Sequence, residues 1–240
     1  MKDVICIIPL RSKSKGIKNK NIKKILNIPL CIYILSAAIN SKLFNKIIVA
    51  CDDEKYFSII DYHLKKLNLS KKNIFFFKRS KKNSSDLSKT ELVISEVLQE
   101  NKNFKYCYLL QATSPLLLKH DILKSYNILI SNKLDSLFSA YSTRKFLWNK
   151  NKNKLKSLNY DHKKRPMRQQ KKNDFIETGA IYAFKIKKFM KFKNRLFGKI
   201  GVCEVPVERS LDIDDIKDFK TASDFISKNL KKNKFIYLKK

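Results

Sequence analysis

A chain of 240 residues that is 43% hydrophobic can bury a sizeable core, which excludes global disorder and suits one large α/β domain. No apolar run is long enough to cross a bilayer. The net charge of +32 invites a nucleic-acid reading, but only seven of the 53 basic residues are Arg, and the lysines are scattered among Asn and Ile as AT-rich codons would scatter them, so the charge reads as a solvated background without a specific nucleic-acid partner.

In chain order, VICIIP (4–9) reads as a buried strand, and it is too short an apolar run for a secretory signal. A cationic loop follows at 10–22, and Pro29 opens a helix, PLCIYILSAAINSK. KIIVACDDE (46–54) is a second strand ending in two carboxylates. Residues 54–67 read as a helix and NIFFF (73–77) as a third strand. A polar, serine-rich loop at 79–90 leads into the helix ELVISEVLQE. The strand KYCYLLQ (105–111) then meets the turn ATSP. A helix from about Asp121 and a strand SLFSAYS (136–142) continue the alternation.

Residues 143–176 break it with Trp148 and a long cationic, polar stretch, the mark of a lid or interaction arm in a compact domain. Strands return at TGAIYAF (178–184) and KIGVCEVP (199–206), and 214–230 is a last amphipathic helix. Strand and helix alternating at this spacing predict a doubly wound, mainly parallel α/β sheet. Ligands bind beyond the carboxyl ends of such strands, so the loops at 10–22, 51–54, 79–90 and 111–115 should gather on one edge. The five cysteines, Cys6, Cys31, Cys51, Cys107 and Cys203, have no Cys-x-x-Cys spacing. They read as buried, reduced thiols of a cytoplasmic protein.

Three stretches carry chemistry. The loop after the first strand is neither a Walker loop nor a dinucleotide fingerprint. It offers Arg11, Lys15, Gly16 and Lys20, cations for phosphate charge and a glycine for close backbone approach. In SLDIDD (210–215), Asp212 and Asp214 lie two apart in an extended segment, point to one side and suit a shared divalent cation. Asp214 also reads as the N-cap of the last helix. LLQATSP (109–115) ends a strand in Gln111 and small hydroxyls, donors and acceptors for a polar ligand.

Taken in order, IIPLRSKSKGIKNKNI, SKLFNKIIVACDDE, LLQATSPL, RPMRQQ (165–170), TGAIYAF and SLDIDD resemble the acylneuraminate cytidylyltransferases, or CMP-sialic acid synthetases, from residue 4 to about 225. The resemblance implies one Rossmann-like nucleotidyltransferase domain over 1–240, with 143–176 as a dimerisation and substrate arm. It implies a homodimer that joins CTP to a nine-carbon 2-keto sugar acid with Mg2+, making a CMP-sugar for lipopolysaccharide, capsule or flagellin. Arg11 and Lys20 would hold the phosphates, with Lys15, Gly16 and Asn21 shaping the loop. Arg79 and Thr90 would contact the cytidine. Gln111, Arg168, Gln169 and Thr178 would face the sugar acid, and Asp212 and Asp214 would hold the magnesium. The catalytic set is then Arg11, Lys20, Asp212 and Asp214, with the general base left open. The chain departs from the family pattern at Leu10 (commonly Ala), at Thr178 (commonly Asn) and in RKFLW (144–148), which lacks a usual proline. The alternatives are activation of the eight-carbon acid Kdo, another sugar nucleotidyltransferase of the same fold, or a basic nucleic-acid-binding protein.

Overall fold

A computed structural model describes residues 3–12, 16–80 and 89–230. Its centre is a seven-stranded sheet of β1 (Val4–Pro9), β4 (Lys46–Cys51), β5 (Ile74–Lys78), β6 (Tyr106–Leu110), β7 (Ser136–Thr143), β10 (Asp174–Lys185) and β11 (Ile200–Glu204). Their order is β11-β7-β10-β6-β1-β4-β5. β1 pairs in parallel with β4 and β6, β4 with β5, and β11 with β7. Only β10 runs against its neighbours, β6 and β7. The expected doubly wound, mainly parallel α/β sheet is therefore present, with one reversed strand.

The continuous apolar runs of the central strands have a direct cause, since both faces are covered. Along β1, Val4, Cys6 and Ile8 pack with α1 (Leu30–Ser41), α2 (Glu54–Lys66) and α4 (Lys119–Ser131). Ile5 and Ile7 point the other way, toward α3 (Thr90–Gln99) and α5 (Ile186–Phe192). A third cluster joins Tyr33 and Leu116 to Ile213 and to Phe219 of α6 (Ile216–Leu230). All five cysteines are free and buried.

Three details depart from the sequence expectations. A two-stranded turn, β2 (Lys24–Ile25) and β3 (Ile28–Pro29), precedes α1, with Leu26 and Asn27 both at positive φ as a tight hairpin turn requires. The stretch 143–176 is not wholly irregular. It contains a hairpin, β8 (Trp148–Asn151) and β9 (Lys154–Ser157), and its last residues already belong to β10, which begins four residues before TGAIYAF. Trp148 lies edge-on to Tyr160, and the Arg165 guanidinium sits 4.0 Å from the Phe146 ring centre, giving the stretch local ring contacts of its own. Among the described residues no helix is long and apolar enough to cross a membrane.

The opposite edge of the sheet is tied by Asp135. Its carboxylate accepts from the Lys188 and Lys185 ammoniums at 2.7 and 2.9 Å and from the Lys199 N–H at 3.1 Å. These partners, Lys188 first, hold its pKa well below the usual carboxylate range. Gly198 turns the chain beside it at φ +63°, where an added Cβ would collide with the carboxylate. A depressed carboxyl stabilises the fold above its unfolded pKa and loses that contribution as pH falls. Asp135→Asn should therefore cost about 1–2 kcal/mol in urea unfolding at pH 7 and progressively less below about pH 4. An equal cost at pH 7 and pH 3 would rule out the charge as its source.

Candidate active site

Beyond the carboxyl ends of β1 and β6 lies a cleft of about 310 Å3, lined by Leu10, Arg11, Lys20, Asn21, Arg79, Thr90, Val93, Gln111 and Thr113 among others. Six of these are residues singled out above: Arg11, Lys20, Asn21, Arg79, Thr90 and Gln111. They come from three separate loops, and parallel strand pairing brings those loops together. β1 ends at Pro9, and Leu10 N–H still bonds to Ala50 O of β4 at 2.7 Å, so Arg11 is launched from a fixed point. Asn19 takes the left-handed conformation at φ 55°, which Asn tolerates, and turns the chain into a short 3-10 turn over Lys20–Ile22. Asn21, buried in this turn, donates from Nδ2 to Arg11 O at 3.0 Å and ties the two ends of the loop together.

Arg79 follows β5 and is buried. Its N–H bonds to Cys51 O at 2.9 Å, and its Nη1 donates to Leu10 O at 2.9 Å. Burial pushes its pKa down, while Asp52 pulls it back part of the way. Asp52, the first of the two carboxylates after β4, accepts from both the N–H and the hydroxyl of Ser12 at 2.8 Å. Desolvation raises Asp52, but the Ser12 bonds and others outweigh it and leave the carboxyl below its ordinary value. Asp52 thus pins the loop after β1 to the end of β4. The sequence displayed this carboxylate at a strand end, yet nothing local linked it to Ser12, forty residues away.

SLDIDD closes the rim. Ile213 is fully buried, and its N–H bonds to Thr113 O at 2.8 Å, so the aspartates on either side project from a docked segment. The Lys20 ammonium reaches across, donating to Ile213 O at 2.6 Å and meeting Asp214 Oδ1 at 3.4 Å. A Cβ at Gly16 would lie 3.4 Å from Asp214 O, so the loop after β1 runs close against the same segment. Asp214 is not the N-cap of α6. That role falls to Asp215, whose Oδ1 accepts from Lys217 and Asp218 N–H while the Asp218 carboxylate accepts from Asp215 and Asp214 N–H, a full capping box. The Asp214 carboxylate is 81% exposed and is left to meet cations.

Asp212 has its pKa raised, first by desolvation and then by the like charge of Asp214, with the Thr113 hydroxyl and Lys20 opposing. Its residue surface stays exposed, so protein atoms crowd the carboxylate while water still reaches it. A carboxylate raised by burial and by a like charge beside it belongs to a set that a divalent cation would relieve. Among the described residues no group of three or more His, Cys, Asp or Glu could hold a metal. A pair alone fits magnesium, which keeps several waters and takes its remaining oxygens from substrate phosphates.

The remaining candidates lie elsewhere. Lys15 falls outside the described residues. Thr178 is buried in the irregular pairing of β10 with β7, its hydroxyl 2.7 Å from that of Ser139 and bonded to Ser139 O at 3.1 Å. It holds the strand's bulge and does not line the cleft. Gly179, at φ +73°, makes the same bulge possible. Arg168 and Gln169 are exposed on the arm, and Arg168 borders a separate groove with Tyr141, Thr143 and Arg144.

The chain matches the family described as cytidylyltransferase over residues 5–240. It is 29% identical to the post-translational flagellin modification protein B of Campylobacter coli, over 98% of this chain and 100% of that one. It is also 29% identical, with the same coverage, to the CMP-N,N'-diacetyllegionaminic acid synthase of Campylobacter jejuni. Two further curated relatives, N-acylneuraminate cytidylyltransferases of Escherichia coli and Danio rerio, are longer, and the chain spans about half of their length. Among solved structures, a CMP:2-keto-3-deoxy-manno-octonic acid synthetase complexed with CTP superposes with a TM-score of 0.68, covering 94% of this chain and 99% of that one at 13% identity.

Proposed function

Because the chain belongs to the cytidylyltransferase family, we propose that it transfers the CMP group of CTP to a nine-carbon 2-keto sugar acid, releasing pyrophosphate. The observation that carries this reading is the convergence of Arg11, Lys20, Asn21, Arg79, Thr90 and Gln111 on one cleft whose rim bears the Asp212 and Asp214 pair. The sugar's anomeric hydroxyl oxygen attacks the α-phosphorus. A new P–O bond forms as the bond to the β-phosphate oxygen breaks, pyrophosphate leaves with that electron pair, and the hydroxyl proton passes to a base.

Such transfers need positioning and charge stabilisation more than covalent chemistry. Arg11 and Lys20 are the cations for the phosphates, with Lys15 and Gly16 in the same loop. Arg79 and Thr90 sit where the cytidine would lie, and Gln111 faces the acceptor. Asp212 and Asp214 would hold Mg2+, which when bound neutralises phosphate charge. The curated relatives support a nonulosonic acid as acceptor, since one is named for diacetyllegionaminic acid and others for neuraminic and pseudaminic acids.

The arm supports a homodimer. Trp148, Leu155, Leu158, Met167 and Phe175 on or beside it are all at least 45% exposed, more apolar surface than a solvated hairpin needs. Arg168 and Gln169 stand outside their own chain's cleft, and in a dimer they belong to the acceptor side of the partner's site.

The test is pyrophosphate release from CTP and Mg2+ with neuraminic, legionaminic, pseudaminic and Kdo acids, each alone. Turnover with a nine-carbon acid is expected, and turnover with Kdo alone would replace the acceptor. CTP that fails to bind would sink the reading. Light scattering of the purified chain at micromolar concentration should give twice the chain mass of 28.2 kDa. A monomer would remove the dimer.

A further inference from the structure

Three residues before Asp212, Arg209 makes the one buried, two-pronged arginine–carboxylate pair among the described residues. Its Nη2 donates to Asp121 Oδ1 at 2.8 Å and its Nη1 donates to Asp121 Oδ2. Asp121 is 2% exposed and Arg209 8%. Neither lines the cleft. Asp121 stands in the first turn of α4, where Oδ2 also accepts from Leu118 N–H at 2.9 Å. Arg209 closes a 3-10 turn over Val207–Arg209 and hands the chain directly to Ser210.

The segment between β6 and α4 is consequently the bed on which SLDIDD lies. Thr113 O receives Ile213 N–H, while Leu116 and Leu118 pack in one cluster with Ile213. Asp121 fastens the upstream end through Arg209, and the Asp215–Asp218 capping box fastens the downstream end. Asp212 hangs between these fixings, beside the docked Ile213 and within reach of the Thr113 hydroxyl.

A buried ion pair is weak evidence for stability, because apolar residues of similar volume usually do as well. Its particular capacity is geometric, since the planar fork fixes both the distance and the angle between two elements. We infer that Arg209 and Asp121 are positioning residues that set the spacing of Asp212 and Asp214 for a divalent cation bound together with the nucleotide. They touch neither substrate nor metal. The inference rests on the metal role proposed above for the two aspartates.

The test uses the full chain and Mn2+ as the probe, followed by electron paramagnetic resonance with and without CTP, alongside CTP binding in metal-free buffer. Arg209→Lys keeps the charge and loses the fork. The double variant Arg209→Met/Asp121→Leu removes both charges with little change in volume and covers the case in which the single variant does not fold. The expected result is Mn2+ affinity in the presence of CTP about tenfold weaker in the variants, an equal rise in the Mg2+ needed for half-maximal turnover, and unchanged metal-free CTP binding. Unchanged Mn2+ affinity would overturn the inference, leaving the pair a fold anchor. So would loss of metal-free CTP binding, which would place the pair's effect on the whole cleft. Wild-type protein that binds no Mn2+ even with CTP would instead overturn the metal role of the aspartates.

Discussion

Asp212→Asn should abolish turnover while making the protein without ligands more stable. If the two carboxylates hold the proposed cation, removing one should cost about 4 kcal/mol of transition-state stabilisation, roughly a thousandfold in kcat. CTP should still bind, because Arg11, Lys20 and Arg79 stay in place. The stability change has the opposite sign. Asp212 has a raised pKa from desolvation and from Asp214, so the fold disfavours its charged form. That cost is present above its folded pKa and disappears as pH falls below the unfolded value of about 4. Asp212→Asn should melt above wild type at pH 7, and the two should converge near pH 3. Wild-type activity in the variant would end the metal assignment, and a lower melting temperature at pH 7 would mean that Asp212 contributes to the fold in some other way.

Lys20→Ala is expected to lower kcat by about a hundredfold, close to 3 kcal/mol, the scale for losing one preorganised charge at a transferring phosphoryl group. A second effect separates this residue from an ordinary phosphate ligand. The Lys20 ammonium donates to Ile213 O and meets Asp214 Oδ1, so it already stands as a cation beside the aspartate pair. Its loss should therefore tighten Mn2+ binding to the nucleotide-free protein by a few-fold, a modest change because Asp214 is largely exposed. Titration of both proteins with Mn2+ reads this directly. Weaker binding in the variant would show that Lys20 builds the rim and does not compete for it.

Much of this was legible in the sequence because it depends on local order. VICIIP, KIIVAC and KYCYLL are apolar at every position, and such runs belong to strands covered on both faces, as β1, β4 and β6 are. Alternation with helices then placed the loops at the carboxyl ends of the strands together. For that reason the loops that carry Arg11, Arg79, Thr90 and Gln111 could be expected on one edge although up to 100 residues separate them, and the resemblance then picked out these residues within them. The ordered motifs, read through a resemblance, supplied roles that composition alone does not contain.

Tertiary structure decided whatever depends on where a side chain's partner comes from. No periodicity links Ser12 to Asp52 or Arg209 to Asp121, because those bonds span loops whose approach is set by sheet register and helix packing. The direction of β10 was likewise hidden, since an apolar strand reads the same from either end. Its bulge turned Thr178 inward onto Ser139 and away from the cleft. The cap of α6 moved one residue, from Asp214 to Asp215, because Asp218 answers Asp215 in a reciprocal pair. In each case the sequence supplied chemically suitable groups, and packing over long chain separations selected among them, because a hydrogen bond reads distance in space and local pattern reads distance along the chain.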